Sequence, residues 1–238
     1  MGVTLSGEKI LLGIVQTATE NELALGEFLE SLVARGLKAS GVLWIIDGSK
    51  GLRAAIRGVA GRKASVQRCR WHKRENVVSY LAKSRQAAVR REIDAAYRQP
   101  TYELAAARLV QIQHSIQREN PWAAASLAEG MEETLTLHRL GISVALPLTF
   151  STTNVLESIN VQLGRLNRNV TRWRNGDQKR RWVVSALLDI EPRLRRVKGY
   201  WALPQLHAAL LRGEAGEGVS SGMGGGKIVD PGANVKAA

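Results

Sequence analysis

The apolar run Trp44-Ile45-Ile46 ends in a carboxylate, Asp47, followed at once by Gly48. Asp-Gly often closes a strand as a turn. The carboxyl end of a strand in an open α/β sheet is also where such folds bind ligands, and these residues alone leave both readings open. Ser49-Lys50 lacks the glycine spacing of a phosphate-binding loop. A second candidate, Cys69 and His72 in QRCRWHKREN, forms a C-x-x-H pair. Zinc takes about four ligands, yet the chain has one cysteine, and His114, His138 and His207 are scattered. A half-buried thiol and a helix-start histidine are the simpler reading. A third is Asn154 and Glu157 in FSTTNVLESIN. Asn at an N-cap with Glu three residues on reads as a capping box. The same Glu157 in a first helical turn could face the strand tip that carries Asp47, and carboxylates converging from separate elements are what magnesium or manganese binds.

The elements that would position these residues follow from periodicity. Ile10 to Val15 reads as a strand, and Thr19-Glu20-Asn21-Glu22 as a capping box. Leu25, Phe28, Leu29, Leu32 and Val33 then mark one face of an amphipathic helix that stops at Gly36. Val42 to Ile46 reads as a strand buried on both faces. A helix over Lys50 to Val59 and a strand over Ala64 to Gln67 follow, so these last two strands should pair in parallel. From His72 to Arg139 the pattern is helical only, with Pro100 and Pro121 each expected to start a helix. Pro147 lies in a break near Leu146 to Thr153, and further helices are expected over Val155 to Leu166 and Arg181 to Leu188. After Gly213 the chain is glycine-rich and should be disordered.

Composition narrows the partner. The 238 residues carry 34 Lys and Arg against 21 Asp and Glu, a formal charge of +13, and a field of that sign attracts nucleic acid. Lys50 to Arg91 holds thirteen Lys or Arg against one acid, Glu75. Arg165 to Lys198 holds eleven against three, with Trp173 and Trp182 interleaved. Each run could be a solvated helix face, but two of them beside candidate carboxylates point to a phosphate-backbone groove. Its candidate contacts are Lys50, Arg53, Arg68, Lys73 and Arg74, then Arg165, Arg168, Arg172, Arg174, Lys179, Arg180 and Arg181. One cysteine excludes an internal disulfide and fits a reducing compartment. No stretch approaches the roughly 18 apolar residues of a membrane span. MGVTLSGEKILLGIV, interrupted by Glu8 and Lys9, does not read as a signal peptide.

Taken in order, IIDGSKGLRAAI, VQRCRWHKREN, EETLTLHRLG, STTNVLESIN and RWRNGDQKRRW resemble the bacterial Mutator-type insertion-sequence transposases. The resemblance extends from Val3 to about Leu210. It implies a DDE-type α/β fold: an RNase H-like sheet, a helical insertion, and three acids that bind two divalent ions, Mg²⁺ or Mn²⁺. On that basis residues 1–72 and 149–212 form the catalytic domain, 73–148 the insertion and 213–238 a disordered tail. Asp47 matches the second acid and Glu157 the last; both would be catalytic and metal-binding. Cys69 and His72, 22 residues after Asp47, match a signature near the active site, as does Asn154. Implied partners are double-stranded DNA, at element ends and target, and further copies of the chain, with no membrane. The implied location is the bacterial cytoplasm, at the nucleoid.

The resemblance departs at the first acid. In the family it lies on the opening strand, and the earliest Asp of this chain is Asp47; Glu8, Glu20 and Glu22 do not match it. The expectation is a chain truncated at its N-terminus, whose sheet lacks a central strand and whose interior edges are left unpaired. The implied reaction is hydrolysis at the element end, then attack of the freed 3′-hydroxyl on target DNA. A non-catalytic DNA-binding or dimerising remnant is the first rival, and a basic RNA-binding structural protein the second.

Overall fold

The computed structural model of the chain describes residues 1–17, 22–146, 149–170 and 172–215. The Thr19–Asn21 part of the capping box, the break at Pro147 and most of the glycine-rich tail lie outside the described residues. Two very short strands, β1 (Gly2–Val3) and β2 (Lys9–Ile10), form an antiparallel hairpin. Helix α1 (Glu22–Ala34), strand β3 (Leu43–Ile46), helix α2 (Lys50–Ala60) and strand β4 (Ser65–Arg68) follow. The helical stretch holds α3 (Arg70–Ser79), α4 (Lys83–Tyr97), α5 (Tyr102–Gln117), α6 (Pro121–Ala128), α7 (Met131–Thr134) and α8 (Thr136–Arg139). Helices α9 (Asn154–Asn167), α10 (Gly176–Ile190) and α11 (Leu203–Ala215) complete the order.

The strand expected over Ile10 to Val15 ends at Ile10. Leu11 gives its N–H to the Glu191 carboxylate at 2.6 Å rather than to a neighbouring strand, and the chain leaves the hairpin there. α1 ends as its sequence requires. Gly36, at φ +103°, lets its own N–H reach Val33 O and that of Leu37 reach Leu32 O, both at 2.9 Å, the paired bonds of a glycine C-cap. Pro121 starts α6 behind an Asn120 cap, whereas Pro100 precedes the Thr101 cap of α5. Helix α11 has no counterpart in the periodicity reading. It supplies Leu203, Leu206 and Leu210 to the core.

β3 and β4 pair in parallel, Leu43 beside Ser65 through Ile46 beside Arg68. Among the described residues β3 has a strand neighbour on one side only. Its alternating side chains divide between two apolar clusters, as a two-sided strand must. Trp44 and Ile46 pack with Leu29, Leu32 and Ile56 of the flanking helices, and Leu43 and Ile45 pack toward Phe150 and α11. Only Ile46 is fully buried, so the expected burial of the whole strand holds for β4 instead.

The far edge of β4 is covered by helices. Thr136 donates its hydroxyl to Val66 O at 2.6 Å, and Gln67 bridges Thr134 O and Leu137 N. Polar groups that a third strand would have met are satisfied this way, as buried backbone requires. Arg70 locks the same seam, donating to Thr134 O at 3.0 Å and His138 Nδ1 at 2.9 Å while lying over the Tyr97 ring. Because a guanidinium only donates, His138 carries its proton on Nε2 and gives it to Gln99 O. Burial, with Arg70 adding repulsion, pushes the His138 imidazolium below its ordinary range. A separate apolar core, including Val77, Val89, Ile93, Leu109, Ile116 and Leu127, holds the helices together.

Two buried cations join this helical body to the end of β4. Arg68 donates to Glu129 O and Glu129 Oε2, each at 3.1 Å, and Lys73 donates to the same two atoms. Lys73 is 1 % exposed. Burial first, then Arg68, push its ammonium down to about 8, against the pull of Glu129. Burial alone would raise the Glu129 carboxyl, but the two cations more than offset it and hold it below its ordinary value.

The sign of the Lys73 effect is set by linkage. Below about pH 8 both states hold the proton and the fold bears the full cost of a buried ammonium. Between there and the ordinary value of 10.5 only the unfolded chain keeps it, so stability rises with pH across that window. Lys73→Met is therefore expected to stabilise the chain at neutral pH and to lose that advantage by about pH 10.5. Glu129→Gln strands both cations and is expected to cost about 2 kcal/mol, the low side for a broken buried pair because Glu129 is half exposed. Urea unfolding at both pH values measures each change; a Lys73→Met chain less stable at neutral pH would contradict the assignment.

Candidate functional site

Cys69 is the single residue between β4 and α3. It is fully buried, and it collects four chain segments. Its N–H extends the parallel ladder to Ile46 O at 2.7 Å, the carbonyl of the residue that precedes Asp47. The next amide, Arg70 N, donates to Ser151 O at 2.9 Å. The Cys69 sulfur lies 3.2 Å from His72 Nδ1 and 3.4 Å from both the backbone N and the hydroxyl of Thr153. The end of β3, the end of β4, the first turn of α3 and the start of α9 thus converge on one residue.

Asp47 sits where β3 stops and is exposed. Its Oδ1 accepts from Ser49 N at 3.1 Å, and Ser49 in turn caps α2 by accepting from Leu52 N at 3.2 Å. Asp47 is a turn residue, and it also faces a cleft. Gly48 makes that turn at φ +126°; a Cβ there would stand 2.7 Å from the Arg68 guanidinium, so the turn packs directly onto the Arg68–Glu129 pair.

A cleft of about 290 Å³ opens at this point, bordered by Asp47, Ser49, His72, Thr153, Glu157 and Asn160, with Leu52 and Leu156 among its apolar walls. Asp47 and Glu157, far apart in sequence, therefore line one space. Glu157 Oε1 accepts from the Thr153 hydroxyl at 3.1 Å and stands 3.8 Å from His72 Nε2. The capping-box reading of α9 needs correction. Thr153 is the N-cap, Asn154 is the first helical residue, and Glu157 is one position beyond where a capping box places its acid. Asn154 is exposed and is not among the residues bordering the cleft.

The two basic runs have different fates. Arg68 and Lys73, expected at a DNA groove, are buried on Glu129 and cannot meet a phosphate. Arg53 pairs with Glu133 at 2.5 Å, and Arg74 with Asp94 at 2.7 Å and Glu75 at 2.9 Å. Lys50 is exposed at the start of α2. In the second run Arg165, Arg168, Arg172, Arg174, Lys179, Arg180 and Arg181 are all exposed, and none has an ion-pair partner among the described residues. Trp182 stands exposed beside them on α10.

Magnesium keeps several waters and takes one or two protein carboxylates together with substrate phosphates. Asp47 and Glu157 fit that donor set. Among the described residues no three His, Cys, Asp or Glu side chains come together as a cluster that could hold an ion, so an ion at this cleft would need further donors from a ligand or from elsewhere. Among the described residues no helix is long and apolar enough to cross a membrane.

Comparison with known proteins adds the context. The family model described as "Transposase, Mutator family" matches residues 1–195. A transposase for insertion sequence element IS406 from Burkholderia multivorans is 33 % identical over 190 residues, covering 79 % of this chain and 47 % of that protein. A transposase for IS256 in transposon Tn4001 from Staphylococcus aureus is 26 % identical over 192 residues, 80 % of this chain and 48 % of its own. One for IS905 from Lactococcus lactis is 25 % identical over 192 residues, 79 % and 47 % respectively. The chain spans about half the length of the curated relatives it matches.

If Cys69 is the junction the geometry shows, its thiol is silent to a disulfide reagent in the folded chain and reacts only with unfolding. Cys69→Ala, which leaves the Thr153 N–H without its acceptor, is expected to cost about 1–3 kcal/mol, read from urea midpoints. A thiol that reacts at the same rate with and without denaturant would contradict the burial.

Proposed function

Because this chain belongs to the Mutator family of transposases, we propose that it carries catalytic parts of an enzyme that cuts and joins DNA during transposition of an insertion sequence. One observation carries the reading: Asp47 and Glu157 border the same cleft, each in the first positions after an element boundary, with His72 lining it beside Glu157. An RNase H-like arrangement is part of the proposal. It is supported by a strand that ends in an acid, a parallel neighbour, a run of helices, and a second acid on the first turn of a later helix.

In this reading Asp47 and Glu157 hold a divalent ion through hard carboxylate oxygens, Mg²⁺ or Mn²⁺ by their chemistry. When bound together with DNA, such an ion would supply polarisation of the scissile phosphate and a lowered pKa for an attacking water. The protein's own share is positional. Ser49 keeps the Asp47 carboxylate folded back toward the cleft, Thr153 holds Glu157, and Leu52 and Leu156 exclude water from one wall. Lys50 and the exposed arginines and lysine of the second basic run face outward to take the phosphate backbone. Contacts of this kind fix register and carry little sequence information.

The second reading is a non-catalytic DNA-binding segment, favoured by the fact that the described residues bring only two acids to the cleft. Nicking of duplex DNA by the purified chain with Mg²⁺ or Mn²⁺ separates the two. The catalytic reading expects nicking that falls by a factor of about 10² or more in Asp47→Asn and in Glu157→Gln. Nicking that survives both substitutions would overturn the assignment, and DNA binding without nicking would favour the second reading. For binding, the triple change Lys179→Ala, Arg180→Ala, Arg181→Ala is expected to reduce the slope of log K against log salt by about 2–3, close to 0.9 for each phosphate the protein no longer neutralises. An unchanged slope would remove α10 from the interface.

A further inference from the structure

Thr153 occupies the N-cap of α9 and does not cap it. An N-cap threonine normally accepts from the N–H of the second or third helical residue, an interaction of about 1 kcal/mol. Here the hydroxyl turns away from the helix and lies 3.1 Å from Glu157 Oε1, 3.2 Å from His72 Nδ1 and 3.4 Å from Cys69 Sγ. Thr153 is itself buried.

The direction of each bond follows from which atoms can give a proton. An ionised Glu157 only accepts, so the single hydroxyl proton of Thr153 goes to Oε1. The Thr153 oxygen is then an acceptor toward its other neighbours. His72 Nδ1, at hydrogen-bond distance from that oxygen, has to carry the imidazole proton. Cys69 Sγ receives the Thr153 backbone N–H and lies 3.2 Å from Nδ1; its own S–H, a weak donor, is the rival source of a proton at Nδ1, and Cys69→Ala removes it. The relay runs from Nδ1–H to the Thr153 oxygen, and from its hydroxyl to Oε1.

The geometry points to Thr153 as a positioning residue that holds Glu157 and fixes His72 as the Nδ1–H tautomer, leaving Nε2 an acceptor at the cleft wall. Nε2 and Oε1, 3.8 Å apart, then form a pair of acceptors with no proton between them. Whatever enters that corner has to donate: a water, a ribose or deoxyribose hydroxyl, or a cation. The functional consequence rests on the cleft being the active site. The proton arrangement does not, and it is measured without metal or DNA.

The test is long-range ¹H–¹⁵N NMR of the His72 ring in the full chain at a pH where the imidazole is neutral, with assignment by His72→Gln. The wild type is expected to show a protonated Nδ1 and a bare Nε2. Thr153→Ser, which keeps the hydroxyl, retains that pattern. Thr153→Val shifts it toward the Nε2–H form, and Cys69→Ala leaves it unchanged because the oxygen acceptor stays. A wild-type ring protonated on Nε2 would overturn the proposal, as would a tautomer that responds to Cys69→Ala and not to Thr153→Val. Should Thr153→Val unfold, the wild-type and Thr153→Ser spectra still decide. If the tautomer is as expected and DNA nicking is absent, the active-site reading fails while the positioning role stands.

Discussion

The sulfur of Cys69 is the point on which the cleft depends. It is a small, fully buried acceptor placed where a strand becomes a helix, and it takes hydrogen bonds from the first turn of α3 and from the residue before α9. The Cys69 amide ties the same residue to the end of β3. Asp47, His72 and Glu157 come from three elements distant in sequence, and each is within a few bonds of a group anchored here. A side chain larger than cysteine would separate the segments. One without an acceptor would leave a buried N–H unpaired, which costs more than the bond itself contributes.

Around that point the charges are partitioned by burial. Much of the first basic run is spent on structure: Arg68 and Lys73 on Glu129, Arg53 on Glu133, Arg74 on Asp94 and Glu75, Arg90 on Glu75, Arg85 on Glu119. Several of these acids sit on later helices, so the pairs stitch the strand pair to the helical body. In the second run the cations from Arg165 to Arg181, on α9, α10 and the segment between them, have no such partners among the described residues and are exposed, whereas Arg193 pairs with Asp189 and Arg196 with Glu8. Exposed, unpaired cations lose least on meeting phosphate, since no protein ion pair has to be broken first.

The limits of sequence reading have the same origin. The parallel pair, α1 with its glycine cap and the α6 start at Pro121 were legible because each rests on local rules: periodicity, φ > 0 at Gly36, a missing N–H at Pro121. Counting acids between Lys50 and Arg91 made that run look unneutralised. Its partners Asp94, Glu119, Glu129 and Glu133 lie beyond the window and meet it only in three dimensions. The strand expected to continue to Val15 failed for the same reason, because Glu191, 180 residues away from Leu11, claims the amide. Thr153 was invisible as a site residue. Thr four positions before Glu157 is the one signal for it, and any helix start can carry that pair.

His72 and Glu157 show why the cleft is built from groups that are not fully satisfied. A fold optimised for stability would let Thr153 cap α9 and would leave Glu157 to pair with a cation of the protein. Neither occurs. The hydroxyl is diverted from the helix to the carboxylate, and Arg68, Arg70 and Lys73, the buried cations nearest in sequence to His72, turn to Glu129 or, for Arg70, to Thr134 and His138 instead. With those cations engaged, the Glu157 carboxylate and the free nitrogen of His72 keep their lone pairs for the cleft. Half-exposed acceptors beside an exposed Asp47 are tolerable in water because solvent satisfies them. They become a demand for positive charge or a donated proton once a ligand displaces that water. The discarded cap and the segregation of Glu129 are thus parts of one arrangement, in which local stability is given up so that the cleft stays electron-rich until something binds.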